Sequence, residues 1–260
     1  SVTAKISLLT VYRGVPYHNG PYCSASASSG MRFFLNGSTD LSKQMEDYLK
    51  NIYKLQEESS PVSTNAIAGK MDISPASVTS MTKKLGQMRL LAYKRYKGVT
   101  LTGRGVKVAL EIIRHHRLLE LYLNQKVGMG WHKVDAEAEE LEHVLSEELE
   151  AAMDRALDHP TIDPHGDPIP AKDGTIVSPE ETILTELEAG RPTVISRVTQ
   201  ESSDVLRYLG DHGIFPDVIV SVEEQAPLAG TVTIKVEGRT IALGRDVARC
   251  IYVLAAVRDN

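Results

Sequence analysis

Between Thr64 and Thr102 the hydrophobic period changes from helical to alternating, and that change restricts the fold more than any other feature. Residues 64–71 read as a short helix, Asp72-Ile73-Ser74-Pro75 as a turn, and 75–89 as a second helix with Ser74 at the N-cap and proline at its first position. Val78, Met81, Thr82 and Leu85 recur at the spacing of an inward face. Leu91, Tyr93, Arg95, Val99 and Leu101 then alternate around Lys97-Gly98, which predicts a β-hairpin turning at that pair. Helix, turn, helix and basic hairpin together make a winged helix. An upstream helix over 42–57, with Met45, Leu49, Ile52 and Leu55 inward and Ser42 as its cap, completes the unit.

The rest of the chain is predicted from the same periodicities. Residues 105–123 form a strongly periodic helix, and 135–159 another that is acidic on most faces. Residues 160–174 are a Pro/Gly/Asp loop. Short strands follow at 193–198, 218–222, 230–236, 239–242 and 250–254, with a helical turn at 202–210, a pattern that suggests a small barrel. The expected fold is mainly α with a β C-terminal domain. Its parts are a weakly ordered Ser/Gly/Tyr-rich tail over 1–37, with Met31 as an alternative start, a winged helix over 38–108, a helical unit over 109–175 and a barrel over 176–260.

Composition decides which partners such a chain suits. The net charge of −5 argues weakly against nucleic acid, but it averages two opposed regions. Over 39–108 basic residues outnumber acidic ones roughly two to one, and over 111–160 the balance reverses. A polyanion-binding part joined to an acidic part is the expectation. Cys23 and Cys250 lie far apart, which disfavours a disulfide scaffold and fits a reducing cytoplasm; Cys250, in an apolar stretch, reads as core. No apolar run approaches the ~20 residues that span a bilayer, and no targeting signal is apparent.

Two groups of residues carry chemistry. The second helix of the winged unit presents Ser74, Ala76, Ser77, Thr79 and Ser80 in its first turns, short side chains that can approach base edges in a major groove. Lys83 and Lys84 follow where phosphates would lie, and Lys94, Arg95 and Lys97 make the wing basic around Tyr96. The competing reading is a protein-binding winged helix with solvated lysines. In the acidic helix, Glu139, Glu142 and His143 stand at i, i+3 and i+4 on one face, a set suited to a divalent cation of borderline hardness. His116 and Glu120 form a second i, i+4 pair, and Asp47 lies on the first helix. The alternative is a solvated acidic face, which is how Glu137, Glu140, Glu147, Glu148 and Glu150 are read; His115 is read as the solvent-facing neighbour of His116. A metal-dependent hydrolase would also need a positioned nucleophile or base, and no Ser/His/Asp or Cys/His arrangement presents itself. A metal-independent adaptor with a protein-binding barrel is a third alternative.

The segments MEDYLKNIY (45–53), SPASVTSMTKKL (74–85), RHHRLLELYL (114–123), AEELEHVLSEELE (138–150) and DPHGDPIP (163–170) resemble the diphtheria-toxin-repressor family of metal-dependent regulators, which has a manganese-responsive branch. The resemblance runs over 42–257. It implies a cytoplasmic homodimer with a winged helix, a helical dimerisation domain and an SH3-like barrel, whose binding to palindromic operator DNA is enabled by metal. It implies a primary metal site at Asp47, Glu139, Glu142 and His143. It implies an ancillary site at His116, Glu120 and Asp135, with Glu201 and Asp204 reaching over from the barrel. Iron-responsive members carry sulfur where this chain has Asp47 and Glu139, so oxygen ligands point to Mn2+, with Fe2+ the alternative. Asp135 stands where iron-type members have histidine. Lys50 replaces a second glutamate of the manganese branch, which puts a closely spaced pair of manganese ions in doubt.

Overall fold

The computed structural model describes residues 41–94, 96–200, 202–226 and 230–255. The expected tail, Cys23, Arg95 of the wing and Glu201 lie outside them.

The N-terminal unit comprises α1 (Lys43–Glu58), α2 (Thr64–Met71), α3 (Pro75–Gln87) and the hairpin β1 (Leu91–Lys94) and β2 (Gly98–Leu101). Tyr48, Leu49 and Ile52 of α1 share a buried core with Ile67, Val78, Leu85 and Val99. Asp72 ends α2 in the left-handed region (φ 51°), and the Ser74 hydroxyl accepts the Ser77 N–H to start α3. Ser42 stands at the start of α1 without a side-chain cap bond; its carbonyl accepts the Met45 N–H instead. Lys94 pairs with Gly98, so the hairpin closes on that pair and not at the expected Lys97-Gly98 turn. The reason is packing: a Cβ at Gly98 would collide with the Val62 carbonyl, because Val62 bridges to Val99 beside β2.

The helical unit holds α4 (Gly103–Tyr122), a wider π turn (Leu123–Val127), α5 (Val134–Leu141) and α6 (Glu147–Ala156). The single helix expected over 135–159 is therefore two helices. Ser146 adopts extended backbone and accepts the Leu149 N–H, and the corner drops Leu145 into the core with Leu118, Leu119 and Met153. Glu142 keeps helical backbone (φ −58°, ψ −31°) at the end of α5, so the shared face survives the break.

Beyond the loop, β3 (Glu181–Ile183), β4 (Pro192–Val198), α7 (Ser203–Asp211), β5 (Ile219–Ala226), β6 (Thr231–Val236), β7 (Arg239–Gly244), α8 (Arg245–Ala248) and β8 (Ile251–Leu254) form an SH3-like unit. Its antiparallel sheet has the order β3-β8-β4-β5-β6-β7. Cys250 precedes β8 and is only half-buried, its thiol donating to the Asp246 carbonyl; the expected core burial does not hold. The DPHGDP loop straps this unit to the helices. The Val198 N–H donates to the His165 carbonyl (2.8 Å), Arg197 Nη1 reaches Asp167 Oδ1 (3.1 Å), and Trp131 lies against both His165 and Phe215. No helix among the described residues is long and apolar enough to cross a membrane.

Candidate metal centre and DNA face

Three helices meet at the candidate metal centre. α1 brings Glu46, Asp47 and Lys50, α4 brings His116 and Glu120, and α5 with its end brings Asp135, Glu139, Glu142 and His143. His143 Nδ1 lies 2.6 Å from Glu46 Oε2, a contact that favours the tautomer with the proton on Nδ1. Its Nε2 then presents a lone pair 2.9 Å from Asp47 Oδ1 and 3.2 Å from Glu142 Oε1. His143 Nε2 and Asp47 Oδ1 are both buried and have no hydrogen-bond partner. Buried polar atoms almost always find a partner, and lone pairs facing one another repel unless a cation lies among them. One imidazole nitrogen and two carboxylate oxygens fit a hard or borderline divalent ion. Burial, with Glu139 and Glu142 adding to it, holds the Asp47 carboxyl above its ordinary pKa, against the pull of His143 and Lys50.

Glu142 is the hub. Its side chain is fully buried, with Oε1 2.5 Å from Lys50 Nζ and Oε2 2.6 Å from His116 Nδ1. Burial would raise its pKa, but His116 and Lys50 outweigh that and keep it low. Lys50 also lies 2.6 Å from Glu139 Oε2. Burial opposes its charge, yet Glu142 and Glu139 hold the ammonium above its usual range.

Next to this hub, His116 Nε2 faces Asp135 Oδ1 (3.3 Å) and Glu120 Oε1 (3.6 Å). Burial alone would discharge the ring, but Asp135, Glu120 and Glu142 keep it protonated well above the ordinary histidine range. The expected ancillary ligands His116, Glu120 and Asp135 do converge, with ligand-capable atoms within 4.8 Å of one another. Asp204 does not join them; its side chain is 90% exposed and pairs with Arg207.

The structure adds members that sequence reasoning missed. Glu46 orients His143. Asp163 and His165 of the strap loop meet Glu120, all three buried with ligand-capable atoms within 4.8 Å. His165 Nε2 contacts the Trp131 carbonyl at 2.8 Å and leaves Nδ1 facing Glu120 Oε1 at 3.4 Å. The signal was the Asp-x-His pair in a loop whose folded position no periodicity reveals. Two expectations fail at the residue before His116 and its partner on α6. His115 is buried, not solvent-facing, and lies 3.8 Å from Glu150 Oε2. Glu150 is buried too, bonded by Arg114 Nε at 2.5 Å; burial would raise its pKa, but His115 and Arg114 bring it down to about 2.

In the winged unit, Ser74, Ala76, Ser77, Thr79, Ser80, Lys83 and Lys84 are exposed on α3, and Lys94, Tyr96 and Lys97 are exposed on the hairpin. Ser74 and Ser77 bond each other (2.9 Å) and Thr79 donates to the Pro75 carbonyl (2.9 Å), so part of this hydroxyl capacity is already committed.

Residues 40–99 match the iron-dependent repressor N-terminal DNA-binding domain, 102–171 the iron-dependent repressor metal-binding and dimerisation domain, and 182–255 the FeoA domain. The iron-dependent repressor IdeR of Mycobacterium leprae is 32% identical over 227 residues, which cover 82% of this chain and 98% of that protein. The chain belongs to the iron-dependent repressor family. As a member it is a metal-dependent transcriptional regulator and not an enzyme. The regulator MntR of Bacillus subtilis is 37% identical over 102 residues, covering 39% of this repressor and 71% of MntR. A solved manganese-dependent transcriptional repressor in complex with manganese superposes with a TM-score of 0.76 and 35% identity, covering 81% of this chain and 99% of that one. IdeR of T. acidophilum superposes at 0.66 with 27% identity.

Proposed function

We propose that this chain is a cytoplasmic, homodimeric repressor that grips palindromic operator DNA when Mn2+ is bound at Asp47, Glu142 and His143, with Glu139 at the rim. The observation that carries the reading is the pair of orphaned atoms, Asp47 Oδ1 on α1 and His143 Nε2 beyond α5. One belongs to the DNA-binding unit and the other to the helical unit, so whatever joins them fixes the orientation of the two. When bound, the ion supplies positive charge that cancels the carboxylates. Glu46 holds the proton at His143 Nδ1 and thereby keeps Nε2 free to ligate. In a dimer the orientation of α1 sets the separation of the two α3 helices, which must match half-sites ~34 Å or a multiple apart. Val144, Leu149 and Leu141 expose an apolar surface at the α5–α6 corner, which suits the dimer contact.

The donor set has no sulfur, which favours Mn2+ and leaves Fe2+ as the weaker alternative. His116, Glu120 and Asp135 would take a further ion once His116 gives up its proton. Residues 38–108 act as the reader, 109–175 as the metal-binding and dimer unit, and 176–260 as the barrel. The test is selection of binders from a random duplex DNA pool, then anisotropy titration with the selected duplex in buffered Mn2+, anaerobic Fe2+ or chelator. Binding should need metal, respond best to Mn2+ and vanish in His143→Ala. Equal binding in chelator sinks the reading; stronger activation by Fe2+ sinks the choice of metal alone.

A further inference from the structure

His115 stands between the Glu142 hub and the Arg114–Glu150 pair, and it is only 4% exposed. Its Nδ1 lies 3.2 Å from the Glu142 carbonyl oxygen. A carbonyl can only accept, so this bond requires the proton on Nδ1. Nε2 lies 3.8 Å from Glu150 Oε2, beyond hydrogen-bond range, and is buried without a hydrogen-bond partner. The firm contact of His115 is therefore with the end of α5 and not with α6.

That contact falls on a particular carbonyl. Glu142 closes α5, and the last carbonyls of a helix have no partner within it. The Glu142 carbonyl also belongs to the planar peptide unit that joins Glu142 to His143, so the Cα atoms of both residues move with it. Both side chains carry ligand atoms of the candidate metal centre, with His143 Nε2 3.2 Å from Glu142 Oε1. One hydrogen bond from α4 thus holds the peptide from which two of the three ligands spring. Glu46 meets the His143 ring from α1, and His115 meets the backbone beneath that ring from α4. We propose that His115 is a positioning residue of the metal centre, whose Nδ1–H locks the Glu142–His143 peptide where both side chains can meet one ion. The proposal rests on the reading that Asp47, Glu142 and His143 take that ion.

The test measures Mn2+ affinity of the full chain by competition with a chelating dye, beside metal-free circular dichroism and thermal melts. An asparagine amide can place its N–H donors near the position of Nδ1, and a glutamine amide near that of Nε2. His115→Asn should keep an affinity close to wild type, whereas His115→Gln and His115→Leu should weaken it about ten-fold or more. Wild-type affinity in the glutamine or leucine variant overturns the proposal. So does an affinity that merely follows metal-free stability, with asparagine losing as much as glutamine. One measurement needs no variant. Correlation spectra of the metal-free protein labelled with 15N-histidine should show a proton on His115 Nδ1, and a ring protonated on Nε2 alone overturns the proposal. His143→Ala separates this from the underlying reading: it should lose most of the Mn2+ affinity, and wild-type binding there refutes the metal site itself, whatever position 115 does.

Discussion

α4 carries two buried polar clusters on consecutive residues, and they are built to opposite ends. At Arg114 and His115 the carboxylates of Glu150 and Asp154 meet a guanidinium that also bonds the Pro170 carbonyl. At His116 the helix turns to the hub of Glu142, where His143 Nε2 and Asp47 Oδ1 stay unpartnered. The first cluster contains its own counter-charge and joins α4 to α6 permanently. The second stops one cation short, and it lies between α1 and α5. Burial of charge is common to both, so burial does not mark the functional site. His115 Nε2 is unbonded in the first cluster as well, so the mark is narrower: two unbonded ligand atoms, Asp47 Oδ1 and His143 Nε2, brought 2.9 Å apart from different helices with no cation between them.

Breaking the complete cluster should have the largest effect. Arg114→Leu takes the guanidinium from Glu150 and Asp154, leaving them only Lys172, His115 and His159, and breaking such a buried pair costs about 3–5 kcal/mol. Urea unfolding should show that loss equally with and without Mn2+. If added metal restores the stability, the two clusters are not independent.

The same comparison has a pH signature. Glu150 has a folded pKa of about 2 against an ordinary 4.5. A depressed carboxyl contributes stability that is complete above the unfolded value and lost as pH falls from there through about 2. At about 1.4 kcal/mol per unit, roughly 3 kcal/mol is involved. His116 has the opposite sign. Its raised pKa stabilises the fold fully below the ordinary 6.5 and loses that contribution as pH rises through the folded value. Metal-free melts across pH should therefore weaken at both limbs. Glu150→Gln should flatten the acid limb; His116→Gln should remove the alkaline limb and also soften the acid one, because His116 holds Glu142 and Asp135 low. An acid limb unchanged by Glu150→Gln would remove Glu150 from the account.

The incomplete cluster should respond to metal instead. At a hundred-fold excess over Kd, a ligand that binds only the folded state adds about 2.7 kcal/mol. Wild type should gain about that much from Mn2+, and His143→Ala should gain much less. Glu46→Ala, which frees the imidazole to turn, should weaken Mn2+ by about 10–100-fold. Isothermal titration reads both. Wild-type affinity in Glu46→Ala would mean that packing alone orients His143.

Much of this arrangement was legible in the sequence, for local reasons. The turn at Ser74-Pro75 and the spacing of Val78, Thr82 and Leu85 set α3 without help from elsewhere. His116 with Glu120, and Glu139 with Glu142 and His143, share faces because a helix dictates it. The break at the α5–α6 corner was harder to read, since no glycine or proline marks it. Its signal was Ser146 followed by Glu147 and Glu148, a cap with acidic residues in the first turn. The fate of Lys50, His115 and Glu150 was not legible. A charged side chain reads as solvated until the helix that buries it is in place. Asp163 and His165 join Glu120 only because the strap loop docks, which is a tertiary event.

The smallest expected effect lies on the exposed face of α3. Lys83 and Lys84 are exposed there beyond the hydroxyl-bearing turns, and Lys94 and Lys97 stand on the hairpin. A lysine on a phosphate releases about one counterion on binding. Lys83→Ala or Lys94→Ala should therefore weaken all duplexes alike and lower the slope of log K against log salt by about one unit each. Ser80→Ala should leave the slope alone and shift base preference at one position by about 1–3 kcal/mol at most. Thr79 is the internal control. Its hydroxyl already donates to the Pro75 carbonyl, so Thr79→Val should cost less specificity than Ser80→Ala. An unchanged salt slope in both lysine variants would move the DNA to another face of the winged unit and leave the metal junction described above with a different output to control.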